Sequence, residues 1–485
     1  MSKRSGETSR LGKVKVALML LTAVSGILSS AVSAHSDSSG TSMSGMEASE
    51  AGTQISVNGH TLAALAHMND DLTNLRVPLR DVIEALGLPL KWDAKHKAVL
   101  VGQEMVPSAM LDSTEMSQHT QMGHIGLYIH GQPSMVDADP MMMNNSVYVL
   151  AEDFAQAMDL KYTYDAGSHQ VKFMTQAAAD QFTTEQKQVE DVLNGVGMVP
   201  HITADGTKEF TLTAGLHDWS PLKGVLTTAW TFNGQAPAPT IRVTEGDRVR
   251  IVFNNNLPEP STVHLHGLLL PNAMDGVPWL TQPPVQSGKS FTYEFTASHA
   301  GTFMYHSHYD DMKQVGSGMY GAFIIDPKKP VNAADNGGTL TDNTKTDHDY
   351  TMLLSGFHVN TTMEGEEDYY TINGRSYPDT PPIEVKQGEI SRVRLINMDT
   401  MEVHTMHLHG MDFYVVARNG SPLTNPERMN NVMLGPGETV DLMFRADNPG
   451  DWAFHCHILD HTMNGESDMS GGEMGGLVTV VKVKP

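Results

Sequence analysis

Cysteine is nearly missing from this chain. One thiol in 485 residues excludes an intrachain disulfide framework, a CxxC redox pair and an all-cysteine zinc site. Basic residues are also few, 32 Lys and Arg against 56 Asp and Glu, for a formal charge of −24. That balance excludes capture of nucleic acid, or of an anionic membrane, by bulk electrostatics. Long apolar runs stop at Leu28, and no later segment approaches the length of a membrane span. The length suffices for two or three domains with cores of their own, so the chain folds without bridges. The surplus is in 23 histidines and 32 methionines. Imidazoles and thioethers, with one thiol, suit copper better than calcium or magnesium.

The first residues bear on compartment. Lys3, Arg4, Arg10, Lys13 and Lys15 precede an apolar run from Val16 to Leu28, which ends in Ala31-Val32-Ser33-Ala34. This is the layout of a signal peptide over residues 1–34, with cleavage expected after Ala34. No cysteine follows the run, which excludes a lipoprotein anchor. The expectation is an exported protein, extracellular or associated with the cell wall, with no membrane span once processed. A single cysteine is unusual there, because oxidising compartments favour paired thiols or one occupied by other chemistry.

Residues 35–54, rich in Ser, Gly and Met, read as a flexible leader. Residues 55–176 contain an internal repeat: the run starting at Val77 is echoed by the run starting at Val149. Identical pairs include Asp81/Asp153, Ala85/Ala157, Leu88/Leu160 and Asp93-Ala94/Asp165-Ala166. Each copy reads as a short helix followed by two strands that turn at the Asp-Ala pair. This small α+β unit resembles the copper amine oxidase N-terminal-like repeat, a resemblance that implies no amine oxidase chemistry. Its histidines (His60, His67, His96, His119, His124, His130 and His169) show no ligand spacing and read as surface residues. Residues 177–200 read as a linker with a helical stretch from Thr184 to Asn194. From 201 onward the pattern is β, alternating runs punctuated by Gly, Pro and Asn. A second repeat divides this part into domains at 201–328 and 349–485, with a polar linker at 329–348. FNGQAPAPTIRVTEGDRVRIVFNN, from Phe232, is echoed by INGRSYPDTPPIEVKQGEISRVRLIN, from Ile372.

Both copies carry HLHG (264–267 and 407–410) and an aromatic-His-x-His quartet, YHSH (305–308) and FHCH (454–457). Four His-x-His pairs result, two in each β repeat. On a strand, residues two apart share a face, so each pair presents two imidazoles together. Cys456 sits between His455 and His457 and points to the opposite face. His404, three residues before His407, shares that opposite face if the strand is extended. His461 follows Cys456 by enough residues to turn and return. Cys456, His404 and His461 can therefore close a His₂Cys site, the composition of a blue-copper centre, while eight imidazoles without carboxylates suit a cluster of several coppers.

The set HLHG…YHSH…HTMHLHG…HCHILDH resembles the copper-binding signatures of multicopper oxidases, the laccase-like enzymes, across residues 201–485. The resemblance implies two cupredoxin-like Greek-key β-barrel domains behind the α+β domain, in a mainly β protein, and four copper ions per active unit. His404, Cys456 and His461 would hold the type 1 copper. His264 and His407 would hold type 2, and His266, His306, His308, His409, His455 and His457 the type 3 pair. Asp275 matches the acidic residue beside the oxygen-reducing cluster, a group able to relay protons. The chain departs from the family after His461. Glu466 stands where relatives place an axial Met or Leu, and the loop is expanded, which makes Met474 the expected axial ligand ahead of Met469 and Glu466. Thr462 replaces an acid that many relatives carry, a role in which Asp460 substitutes.

Too few residues separate His308 from His404 for a middle domain, so the chain resembles the two-domain, small-laccase arrangement. That resemblance implies a homotrimer with the trinuclear site shared between neighbouring subunits. The expected activity couples one-electron oxidation of a small reducing substrate to four-electron reduction of dioxygen to water. Phenols and aromatic amines are the family's general donors. Methionines at 105–122, 141–143 and 463–474 favour Cu(I), or another metal ion, as donor, in a copper-tolerance role. Copper nitrite reductase, another two-domain trimer, is excluded because YHSH offers Ser307 where its type 1 cysteine would be. The remaining alternative is a non-catalytic, copper-sequestering exported protein.

Overall fold

The computed structural model describes residues 53–68, 75–102, 125–134, 138–165, 170–331, 340–359, 368–464 and 474–485. The signal-peptide segment, Met105–Met122, Glu466 and Met469 lie outside them. No helix among the described residues is long and apolar enough to cross a membrane.

The two N-terminal repeats fold alike. Short helices Leu79–Ala85 and Ala151–Ala157 each follow a strand and bury one apolar side, Leu79, Val82 and Ile83 in the first, Ala151, Phe154 and Ala155 in the second. Hairpins Leu90–Asp93/Ala98–Val101 and Lys161–Asp165/Gln170–Met174 follow them. Strand Thr53–Val57 adds in parallel to Gln170–Met174, which closes the domain around Ile55, Val77, Val99, Val149 and Phe173. The Asp93 carboxylate accepts the backbone N–H groups of Lys95 and His96 at the turn, the reason an Asp stands there.

The expected linker is an 18-residue helix, Gln176–Leu193, capped by Thr175 accepting from the Ala178 N–H. It starts at the Thr175 cap, ahead of the stretch anticipated, and its buried stripe, Glu185, Val189, Val192 and Leu193, recurs at helical spacing. That stripe is a wedge between the β domains. Val189 packs with Trp219, Ala229, Ala236 and Phe357, and Val192 with Met304, Tyr320, Leu353 and Ile396. Glu185 pairs with the fully buried Arg375 at 2.9 Å, and the guanidinium lies 4.5 Å and 4.8 Å from the rings of Phe182 and Trp219.

Each β domain stacks two sheets over an apolar core. Lys208–Trp219 pairs in parallel with Arg248–Asn255, and His348–Phe357 with Ile390–Asn397, the same crossover in both. Arg248–Asn255 alternates, with Val249, Ile251 and Phe253 inward. Ile390–Asn397 is buried on both faces, because the first domain covers its outer side. There Arg394 bonds Thr302, Asp349 and Asp441, and Arg242, paired with Asp326 within the first domain, reaches across to Asp349. Burial alone would raise the Asp349 carboxyl, but Arg394 and Arg242 outweigh it and hold it below the ordinary carboxylate range.

Candidate metal centre

Strands His404–Leu408 and Gly450–Cys456 run antiparallel with Met406 opposite Cys456 and His407 opposite His455. Alternation then turns His404, Met406 and Cys456 inward, and a short 3₁₀ turn over Asp460–Thr462 brings His461 back beneath them. Donor atoms of His404, Cys456 and His461 lie within 4.8 Å of one another, at 0%, 0% and 2% exposure. The His404 and His461 Nδ1 atoms face each other at 3.1 Å, and Cys456 Sγ stands 3.6 Å from His461 Nδ1. Burial pushes His404 down to about 3 and lowers His461, so both rings are neutral with lone pairs available. Burial raises the Cys456 thiol, so a bound cation is what would make it a thiolate. Two imidazoles and a thiol converging in a dry pocket fit a soft or borderline metal such as copper.

The other faces of these strands carry the quartets. In the first domain, His264 lies opposite His306, and rings of His264, His266, His306 and His308 pack at 5.2–6.2 Å. In the second, His407, His409, His455 and His457 pack at 4.8–5.9 Å. Main-chain carbonyls select the free nitrogen. Nδ1–H donates from His264 to Asp275 O at 2.6 Å, and from His306, His407 and His455 to Ser307, Asn430 and Cys456 carbonyls at 2.7 Å. The Nε2 lone pairs of these four rings are therefore left for a metal, and those of His306 and His455 face ring nitrogens of His266 and His409 at 3.3 Å and 3.0 Å. Burial holds His306 down at about 3 and lowers His266, His409 and His455, so the rings are neutral ligands rather than cations. No ring contact joins the two quartets among the described residues, and His409 and His457 are exposed.

The anticipated accessory residues divide. The Asp275 carboxylate stands 3.7 Å from His264 Nδ1, beside the first quartet. Asp460 is exposed at the head of the turn that carries His461. Met474 is 37% exposed and lines a cavity of about 770 Å³ with Tyr377, Asp451, Val478 and Lys482. Sequence reasoning missed two carboxylates. Asp311 Oδ2 lies 3.7 Å from His308 Nδ1, and burial raises its carboxyl. Asp399 Oδ2 lies 3.7 Å from His404 Nε2; these two atoms are buried and have no hydrogen-bond partner. The Asp399 Oδ1 accepts the Met401 and Glu402 N–H groups, which aims the carboxylate at the ring. Aligning the two repeats would have flagged it. Asp399 and Leu257 both donate their N–H to the Asn two residues earlier, so a buried carboxylate stands where the first domain has leucine.

Family models match three parts of the chain: a copper amine oxidase N-terminal domain at 56–173, and multicopper oxidase domains at 213–330 and 347–467. Among solved structures, the blue copper oxidase of Nitrosomonas europaea is 36% identical. The match covers 57% of this chain and 85% of that one, with a TM-score of 0.52. Copper resistance protein A of Pseudomonas syringae pv. tomato is 27% identical over 52% of this chain and 50% of its own length. Laccase-6 of Arabidopsis thaliana is 29% identical over 45% of this chain and 40% of its own. The chain thus spans half or less of the length of these two curated relatives. With the histidine and cysteine arrangement on both β domains, these matches establish that residues 213–467 belong to the multicopper oxidase family, carried behind a copper amine oxidase N-terminal domain.

Proposed function

We propose that the protein is an exported, laccase-type multicopper oxidase that couples one-electron oxidation of a small donor to reduction of dioxygen to water. One observation carries this reading: Cys456 belongs to a dry His₂Cys pocket, while its neighbours His455 and His457 belong to an imidazole quartet on the opposite face. Copper bound at these positions would supply both the one-electron oxidation and the four-electron reduction of dioxygen.

The chain's own residues have separable tasks. His404, Cys456 and His461 would hold the type 1 ion through Nδ1, Sγ and Nδ1, with Met474 as a further ligand. His264 and His407 would hold type 2, and His266, His306, His308, His409, His455 and His457 the type 3 pair. The peptide between His455 and Cys456 is a short covalent connection between faces, and the Nδ1–H bond of His455 to the Cys456 carbonyl adds a second, hydrogen-bonded one. Asp275 holds and passes protons at the carboxylate beside His264, and Asp460 does so from the His461 turn.

Two half-sites per chain, each open on its own face, support a ring of three subunits in which one chain's first quartet meets another's second. For the donor, Cu(I) is supported by exposed methionines such as Met141 and Met142 and by the likeness to a copper resistance protein. Phenols are the comparison substrate. Met141→Ser combined with Met142→Ser is expected to impair Cu(I) turnover and spare phenol turnover if the methionines recruit the ion. Dioxygen uptake by copper-loaded protein, absent in Cys456→Ser, tests the oxidase reading. Copper binding without uptake would favour sequestration.

A further inference from the structure

Behind the first quartet lies a buried polar trio with no assigned role: Ser261, Ser307 and Gln314, all fully buried. Backbone register identifies what these positions are. His264 opposite His306 matches His407 opposite His455, so Ser307 corresponds to Cys456, and Ser261, three residues before His264, corresponds to His404. The Ser307 N–H donates to Met319 O at 3.1 Å, as the Cys456 N–H donates to Leu477 O at 2.9 Å. The Met319 N–H donates to Gln314 O, and the Leu477 N–H to His461 O, both at 2.9 Å. Gln314 therefore corresponds to His461.

The side chains converge as the ligands do in the second domain. Ser307 Oγ and Ser261 Oγ lie 2.6 Å and 2.9 Å from Gln314 Oε1, and 3.2 Å from each other. Gln314 Nε2 donates to Glu259 Oε1 at 2.8 Å and Pro260 O at 3.0 Å, so its oxygen is the acceptor for both hydroxyls. Glu259 is tied in turn to Lys313 at 2.7 Å. Hydroxyls and a neutral amide offer a soft metal little, and hydrogen bonds occupy the place of ligation.

We infer that Ser261, Ser307 and Gln314 are positioning residues for the first-domain quartet, a metal-free counterpart of the His404–Cys456–His461 centre. Ser307 lies between His306 and His308, and Ser261 leads into His264, so anchoring their hydroxyls to one amide holds both imidazole-bearing segments together. Each member is buried, so removing Gln314 takes the shared acceptor from both hydroxyls, and removing a serine takes one of the two donors from the amide oxygen; either frees a strand end to shift. The inference rests on the proposed copper-binding role of the quartet.

The test uses copper-loaded full-length Gln314→Met and Ser307→Ala, each scored in one sample for two signals. The blue thiolate–copper band reports the second domain, and the near-ultraviolet band of the coupled copper pair reports the quartets. We expect copper to bind the quartet about 10- to 100-fold more weakly in chelator competition, with the near-ultraviolet band lost and the blue band retained. Retention of both bands, or loss of both together, would overturn the inference. A second variant, Ser261→His with Ser307→Cys and Gln314→His, should roughly double blue absorbance per chain. No added blue band in a folded triple variant would also overturn it. Wild-type protein lacking the near-ultraviolet band would instead overturn the copper reading beneath it.

Discussion

The two β domains carry the same imidazole quartet in the same register, yet differ behind it at four buried positions. Where the second domain has Asp399, His404, Cys456 and His461, the first has Leu257, Ser261, Ser307 and Gln314. The substitutions are concerted. A carboxylate facing an imidazole has an ionisable ring 3.7 Å away, whereas the same carboxylate facing a serine would be a buried charge with none. The scaffold therefore tolerates either a metal or a hydrogen-bonded plug at one location, provided the whole set changes together.

The largest effect should follow from the single cysteine. Cys456→Ser is expected to abolish the blue colour and bring dioxygen uptake to background. Ser307→Cys should yield no blue band, since Ser261 and Gln314 bring no imidazole; optical spectra of both copper-loaded variants check the contrast.

The domains also differ in how they meet. Asp349→Asn leaves Arg394 and Arg242 short of a carboxylate at the interface and should cost about 3 kcal/mol in chemical denaturation at neutral pH. Because the folded-state carboxyl is lowered, this contribution is full above about pH 4 and is lost as pH falls further. The gap between variant and wild type should accordingly close in strong acid. A gap independent of pH would contradict the assignment.

Smaller effects probe the carboxylate difference and the Met474 position. Asp399→Asn should weaken copper retention at the His404 site about tenfold, read by chelator competition, without changing the quartet signal. Met474→Leu should shift the blue-centre potential while leaving copper content unchanged, because an axial thioether tunes the site more than it holds the ion.

The chemistry was legible in the sequence because strand parity is a strict rule: His455 and Cys456 must face opposite ways, and so they do. The α+β repeat was legible through its Asp turn. The helix Gln176–Leu193 was legible only from Thr184 on; its wedging role was not, since the Glu185 in its buried stripe is neutralised by Arg375, a partner far away in sequence. Asp399 was hidden for a similar reason. Its role depends on an N–H pair that aims it and on burial opposite His404, and neither has a spacing signature. Met474 carried a motif, but the loop before it separates motif from geometry, and the residue lines an open cavity.

The proposed ring assembly requires that a working oxygen-reducing site combine the first quartet of one chain with the second quartet of another. Its most direct test is to mix His306→Ala and His455→Ala protein, each inactive alone, after dissociation and reassembly in the presence of copper. The account predicts that dioxygen uptake returns in the mixture, because mixed rings contain a junction with both quartets intact. Mixtures as inactive as their components, alongside an active wild-type monomer in light scattering, would contradict it.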